Sequence, residues 1–264
     1  MSITIAVAGK GGTGKTTVTA LIIDHLARLG VGDILAVDAD PSTNLNLALG
    51  IELEDTVGGE REALLEDIQT GQYNLGLEKR QYFQLKIHEA LVEAEAFDLL
   101  AMGRPEGPGC YCAPNHILRQ SIDTISDAYD FVVIDNEAGL EHISRRTTRD
   151  VDLLLAISDP TVRGLIAAQR VFELVEELGT RVGQAHLLIN RVPVNEVGEP
   201  QLAPELAAKV QGMGLPLLGL LPQDPLVSEL DAMGKPLVGL PEDSLLRQQL
   251  VTLIGRVLPV AMPI

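Results

Sequence analysis

Two short clusters concentrate the residue types that chemistry requires. The first is Gly9-Lys10-Gly11-Gly12-Thr13-Gly14-Lys15-Thr16-Thr17, directly after an apolar stretch. A glycine-rich turn that leaves a buried strand and opens a helix aims several backbone N–H groups at one spot, which suits an anionic phosphate. Gly11, Gly12, Thr13, Gly14 and Thr17 complete that cradle, while Lys15 neutralises β- and γ-phosphates and the Thr16 hydroxyl ligates Mg²⁺. The pattern predicts a nucleoside triphosphate as ligand. The second cluster is Cys110-Tyr111-Cys112, which holds both cysteines of the chain. In an extended segment residues i and i+2 project to the same side, so two thiolates can hold one soft metal. The strain of so short a loop and the reducing setting expected for this chain disfavour a disulfide.

Further polar residues follow the apolar runs, where ligands collect in open α/β sheets. Asp38 and Asp40, at i and i+2, follow the second run and point the same way, towards the place of a γ-phosphate and its attacking water. Asp-Pro-Ser at 40–42 also suits a turn, and the two roles are compatible. Asp135 closes Phe131-Val132-Val133-Ile134 and is a Mg²⁺ carboxylate, direct or through water. Asn190-Arg191 follows a later run; the amide carries the donors and acceptor that an adenine edge requires. Pro222-Gln223-Asp224, after the next run, would close the other side of the base.

Positioning these residues requires alternating elements. Short apolar runs at 3–8, 34–37, 99–102, 131–134, 153–158, 186–189 and 216–220 read as strands. Helix-period segments at 18–29, 117–126, 165–178, 202–210 and 245–257 lie between or after them, with Gly30 and Gly179 as C-caps. The stretch 58–84 mixes a helix at 60–68 with a polar turn region at 71–76. The alternation predicts an α/β fold with a doubly wound, mostly parallel sheet. With 264 residues, 46% of them hydrophobic, the chain can bury a sizeable core, and residues 1–264 read as one domain.

The net charge of −17 argues against a broad nonspecific hold on nucleic acid or acidic lipid. No uncharged apolar run approaches the roughly 20 residues needed to span a bilayer, so no stable membrane insertion is expected. The N-terminal residues lack a charged segment and cleavage site, and the expected location is the cytoplasm.

The residues KGGTGKT resemble the deviant P-loop of the MinD/ParA/nitrogenase-iron-protein superfamily. That resemblance implies a P-loop ATPase in which Lys10 reaches across a nucleotide-sandwich homodimer to the partner's phosphates. It implies that Asp40 positions or deprotonates the attacking water, that Asp38 supports the Mg²⁺ shell and its loop, and that Asp135 is the Walker B residue. It places Asn190-Arg191 at the base, favouring ATP, and makes 136–142 a switch segment turning on Gly139. Two sulfurs are too few for a closed metal site, and a twofold dimer doubles them to four. GRPEGPGCYC, together with DADPS and IDNEAGLEH, is similar to the CooC family of MinD-type ATPases, which assist nickel insertion into carbon monoxide dehydrogenase. The implied client is that nickel enzyme. A sibling maturase for acetyl-CoA synthase shares the Cys-x-Cys feature; an electron donor like the nitrogenase iron protein and a positioning ATPase of the MinD/ParA kind are the alternatives. His116 reads as a helix cap rather than a further ligand.

Overall fold

A computed structural model describes residues 2–70, 85–103, 125–136 and 151–258. The cysteine pair, His116, the segment 137–142, the helix expected at 117–124 and the turn region at 71–76 lie outside the described residues.

The described strands form one eight-stranded sheet in the order β3-β4-β2-β5-β1-β6-β7-β8. They are β1 (Ile3–Gly9), β2 (Ile34–Asp38), β3 (Leu91–Glu93), β4 (Asp98–Ala101), β5 (Phe131–Asp135), β6 (Val151–Ser158), β7 (Val182–Val192) and β8 (Leu217–Pro222). All neighbours are parallel except the β3–β4 pair. The helices are α1 (Lys15–Leu29), α2 (Leu45–Leu49), α3 (Val57–Thr70), α4 (Val162–Leu178), α5 (Pro204–Met213), α6 (Pro225–Ala232) and α7 (Leu245–Val257).

Strand alternation distributes the apolar residues to both faces. From β1, Ile5 and Val7 join one core with Leu21, Ile22 and Leu26 of α1 and Leu250 and Leu253 of α7. Ala6 and Ala8 point the other way, into a core with Leu165 and Ala168 of α4. A third core, under β2, β4 and β5, packs Val37, Leu100 and Val132 against Val57 of α3 and against Ile87. Both faces are therefore covered, and the sheet is doubly wound as expected. Alanine on the α4 face of β1 lets that helix approach closely, whereas the α1 face carries the larger side chains. Each fully buried Leu or Ile contributes about 1.5–3 kcal/mol through removal of apolar surface from water.

Several boundaries differ from the sequence reading. β7 starts at Val182 rather than 186, since its polar first half pairs with β6 from Val151 onwards. β4 spans Asp98–Ala101, one residue earlier than expected, although Met102 N–H still donates to Asp38 O at 2.8 Å. α1 begins at Lys15 because its first turn is part of the glycine loop. The helix expected at 202–210 starts at Pro204, whose ring suits the first helical position. Of the segment expected to be helical at 117–126, only Ile125 and Ser126 are described: Ile125 is helical and Ser126 opens a 3₁₀ turn, Ser126–Ala128.

Candidate functional site

The strand order places β1 at the centre, between β5 and β6, so the turn that follows it sits over the middle of the sheet. Gly9 leaves β1 against the main chain of β6; a Cβ there would collide with Ile157 O. Thr13 closes the turn, its hydroxyl donating to Lys10 O at 2.8 Å. Gly14 has φ 88°, and a Cβ there would overlap the Asn190 amide. Only glycine meets both constraints. Helix α1 then starts with Val18 N–H donating to Gly14 O at 3.0 Å, so the unpaired N–H groups of its first turn face the loop. Lys15 is buried in this turn, whereas Lys10, Gly11 and Gly12 are exposed.

Three carboxylates converge beside the loop. Asp38 and Asp135 end adjacent parallel strands in direct register. The Thr16 hydroxyl donates to Asp135 Oδ2 at 2.6 Å, and Thr19, one turn further along α1, donates to Oδ1 at 3.4 Å. Asp38 is fully buried and accepts from Asp40 N–H at 3.0 Å and Leu45 N–H at 2.9 Å. It thereby fixes the loop and supplies an acceptor at the start of α2, whose own Asn44 makes no side-chain cap. Asp40 accepts from Ser42 N–H at 2.8 Å, an Asx turn that holds its carboxylate at the rim.

Burial raises the proton affinity of Asp38 and Asp135. Desolvation pushes Asp38 up to about 7, with the Asp135 charge adding to the shift and the backbone donors opposing it. Desolvation likewise raises Asp135 to about 6, against the pull of the Thr16 hydroxyl and the Lys15 charge. A hydroxyl bonded to a buried carboxylate offers two hard oxygen donors side by side, which fits a Mg²⁺ that keeps waters and phosphate oxygens in its other positions. Thr16 and Asp135 are the residues that would hold it.

At the other side of the loop, Asn190 is buried and donates through Nδ2 to Thr13 O at 3.0 Å. Arg191 is exposed and donates through Nη1 to Gly12 O at 2.8 Å. One amide donor of Asn190 is thus used by the loop itself. Pro222 is buried at the end of β8, where Val192 pairs with it, and Gln223 N–H donates to Val192 O at 2.9 Å. The structure therefore brings Lys15, Thr16, Asp38, Asp40, Asp135, Asn190 and Arg191 around one loop. One contributor is absent from the sequence reading: Thr19, which lies on the same face of α1 as Thr16. Asn136, expected as the first residue of a switch segment, also donates from its side chain to Val7 O at 3.0 Å and ties β5 to β1.

The family described as the CobQ/CobB/MinD/ParA nucleotide binding domain matches residues 4–237. The chain belongs to this nucleotide-binding family. Its glycine loop is accordingly the P-loop of a MinD/ParA-type domain. An uncharacterized ATP-binding protein of Methanocaldococcus jannaschii is 45% identical over 240 residues, covering 91% of this chain and 92% of the relative. The carbon monoxide dehydrogenase accessory protein CooC of Rhodospirillum rubrum is 32% identical over 190 residues, covering 67% of this chain and 70% of that protein. Among solved structures, the septum site-determining protein MinD of Pyrococcus horikoshii, complexed with Mg-ADP, superposes with a TM-score of 0.68 at 25% identity, covering 97% and 96% of the two chains. The architecture is the MinD-like P-loop fold: an eight-stranded, mostly parallel sheet covered by helices. Among the described residues no helix is long and apolar enough to cross a membrane, and no group of three or more His, Cys, Asp or Glu could hold a metal ion.

Proposed function

We propose that this chain is a cytoplasmic ATPase, one domain over residues 1–264, that works as a homodimer and couples ATP hydrolysis to delivery of nickel to carbon monoxide dehydrogenase. The observation that carries the ATPase part is the Thr16–Asp135 pair at 2.6 Å beside the P-loop, with Asp38 and Asp40 at the neighbouring strand end. The metal-delivery part is supported by the similarity to CooC and by Cys110-x-Cys112.

In this reading the P-loop N–H groups and Lys15 hold the β- and γ-phosphates, and Lys10 from the facing protomer neutralises the same charge. When bound, Mg²⁺ supplies charge neutralisation of the phosphate oxygens. Thr16 and Asp135 orient its site, while Asp38 fixes the loop that presents Asp40. Asp40 orients a water for attack on the γ-phosphorus; the bond to ADP breaks, and the water's proton passes to Asp40 or to solvent. Asn190 offers its Oδ1 to the adenine amino group, and Pro222 lies on the far side of the base. The γ-phosphate stabilises the closed dimer preferentially, which brings two Cys-x-Cys loops together into a site for Ni²⁺ or Zn²⁺ as cargo.

Asp40→Asn keeps the Asx-turn acceptor and removes the charge near the water. ATP turnover is expected to fall by about 10²-fold with nucleotide affinity retained, read by phosphate release and by titration calorimetry. Undiminished turnover would reduce Asp40 to a turn residue.

The cargo reading is tested by anaerobic metal titration alongside dimer mass. Wild type is expected to load one ion per dimer, with affinity falling as the thiols protonate at lower pH. Cys110→Ser and Cys112→Ser are each expected to abolish that loading while leaving ATP binding intact. One ion per monomer, or loading unchanged in both variants, would overturn the shared site. The similarity to MinD favours a second reading, a positioning ATPase, for which ATP-dependent co-sedimentation with liposomes would be the positive result.

A further inference from the structure

Strand β7 keeps parallel register with β6 up to Ser158 opposite Ile189. Its register against β8 then shifts between Ile189 and Val192, the two residues that bracket Asn190 and Arg191. Within this irregularity Arg191 takes φ 59°, a left-handed conformation that is costly for a residue bearing a side chain. Such strain persists only where its surroundings enforce it, and it gathers at functional sites.

The geometric effect is specific. In a regular strand, successive side chains project to opposite faces, so Asn190 and Arg191 could not both reach one loop. Here both do: Asn190 Nδ2 donates to Thr13 O at 3.0 Å and Arg191 Nη1 to Gly12 O at 2.8 Å. Two consecutive carbonyls of the P-loop are thereby drawn towards β7. Because a trans peptide is planar, with its C=O and N–H antiparallel, the N–H groups of Thr13 and Gly14 are turned away from β7. The Thr13 N–H makes only a long contact, 3.4 Å to Lys10 O, which an incoming phosphate oxygen can replace.

We propose that Arg191 is a positioning residue for the P-loop: it acts through the Gly12 carbonyl to orient the phosphate-binding N–H groups, so a side chain at the base end of the site sets the grip on any polyphosphate, with or without a base. The inference rests on the ATP reading above and differs from it over what Arg191 serves, since an adenine contact would leave a base-free ligand unaffected.

Calorimetric titration of the full-length chain with Mg-ATP and with Mg-tripolyphosphate separates the two roles. Arg191→Ala removes one charged hydrogen bond at an exposed position, and affinity for both ligands is expected to fall by about tenfold, by the same factor. Arg191→Lys, which retains one cationic donor on a flexible stem, is expected to recover most of that loss for both. Arg191→Gly adopts the same φ without strain; it is expected to melt at a higher temperature than Arg191→Ala while binding both ligands as poorly, which separates loop orientation from folding. ATP affinity that falls while tripolyphosphate affinity holds would overturn the proposal in favour of a base contact. Unchanged affinity for both would overturn it in favour of a surface arginine. A wild-type chain that binds tripolyphosphate but not ATP would contradict the ATP reading alone.

Discussion

Alanine at Lys15 is expected to lower ATP turnover by at least about 10²–10³-fold, the range seen when one preorganised donor to developing charge is removed. Lys15 is 7% exposed, so its ammonium acts where water screens little and its loss cannot be filled by a mobile counter-ion. The fold should tolerate the change. Helix α1 starts through main-chain groups, with Val18 N–H on Gly14 O, and Thr19 bonds the carbonyl rather than the side chain of Lys15. Phosphate release measured beside a thermal melt is therefore diagnostic: a variant with unchanged melting and more than a tenth of wild-type turnover would remove Lys15 from the catalytic machinery.

The largest effect on stability is expected far from that lysine. Arg247 of α7 is 6% exposed; its guanidinium pairs with Asp24 of α1 through Nη1 and donates to Val238 O at 3.2 Å through Nη2. Arg28 holds the same Asp24 carboxylate at 2.8 Å but is about half exposed. Removing one partner of a buried pair leaves the other desolvated, which costs about 3–5 kcal/mol. Arg28 remains to screen Asp24, which puts Arg247→Ala near the lower end of that range, about 3 kcal/mol. For a chain of this size the melting temperature should fall by roughly 6–10 °C. Arg28→Ala, at the exposed end of the same network, should cost under about 1 kcal/mol. Equal losses in the two variants would show that burial does not set the energetics of this network.

The central strands were legible because burial on both faces makes them continuous apolar runs: β1, β2, β5 and β6 all lie within two residues of their expected limits. The P-loop and the carboxylates were legible for a related reason, since each follows directly on such a run. Elements whose stability comes from elsewhere in the chain were missed. Leu45-Asn46-Leu47-Ala48-Leu49 is too short to show a helical period, yet it is helical, held at its start by Asp38 from β2. Strand β3 has three residues, too few to show any period. The start of α6 is visible in Asp224-Pro225, a side-chain cap followed by proline, although the sequence reading gives Asp224 only a place beside the base. The bonds from Asn190 and Arg191 to the loop depend on a bulge, which sequence periodicity does not encode.

The central place of β1 has a cost during synthesis. Its hydrogen-bonding partners are Phe131–Asp135 on one side and Val151–Ser158 on the other, so the first strand to leave the ribosome is paired only after some of the last. At about 5–20 residues per second, Ile5, Val7 and the glycine turn behind them wait on the order of ten seconds or more before either neighbour exists. During that interval the strand has two bare edges and no sheet to cover its apolar faces. Nascent chains of this protein should therefore engage holding chaperones until β6 has emerged, and a stall placed before residue 151 should leave the P-loop strand open to protease.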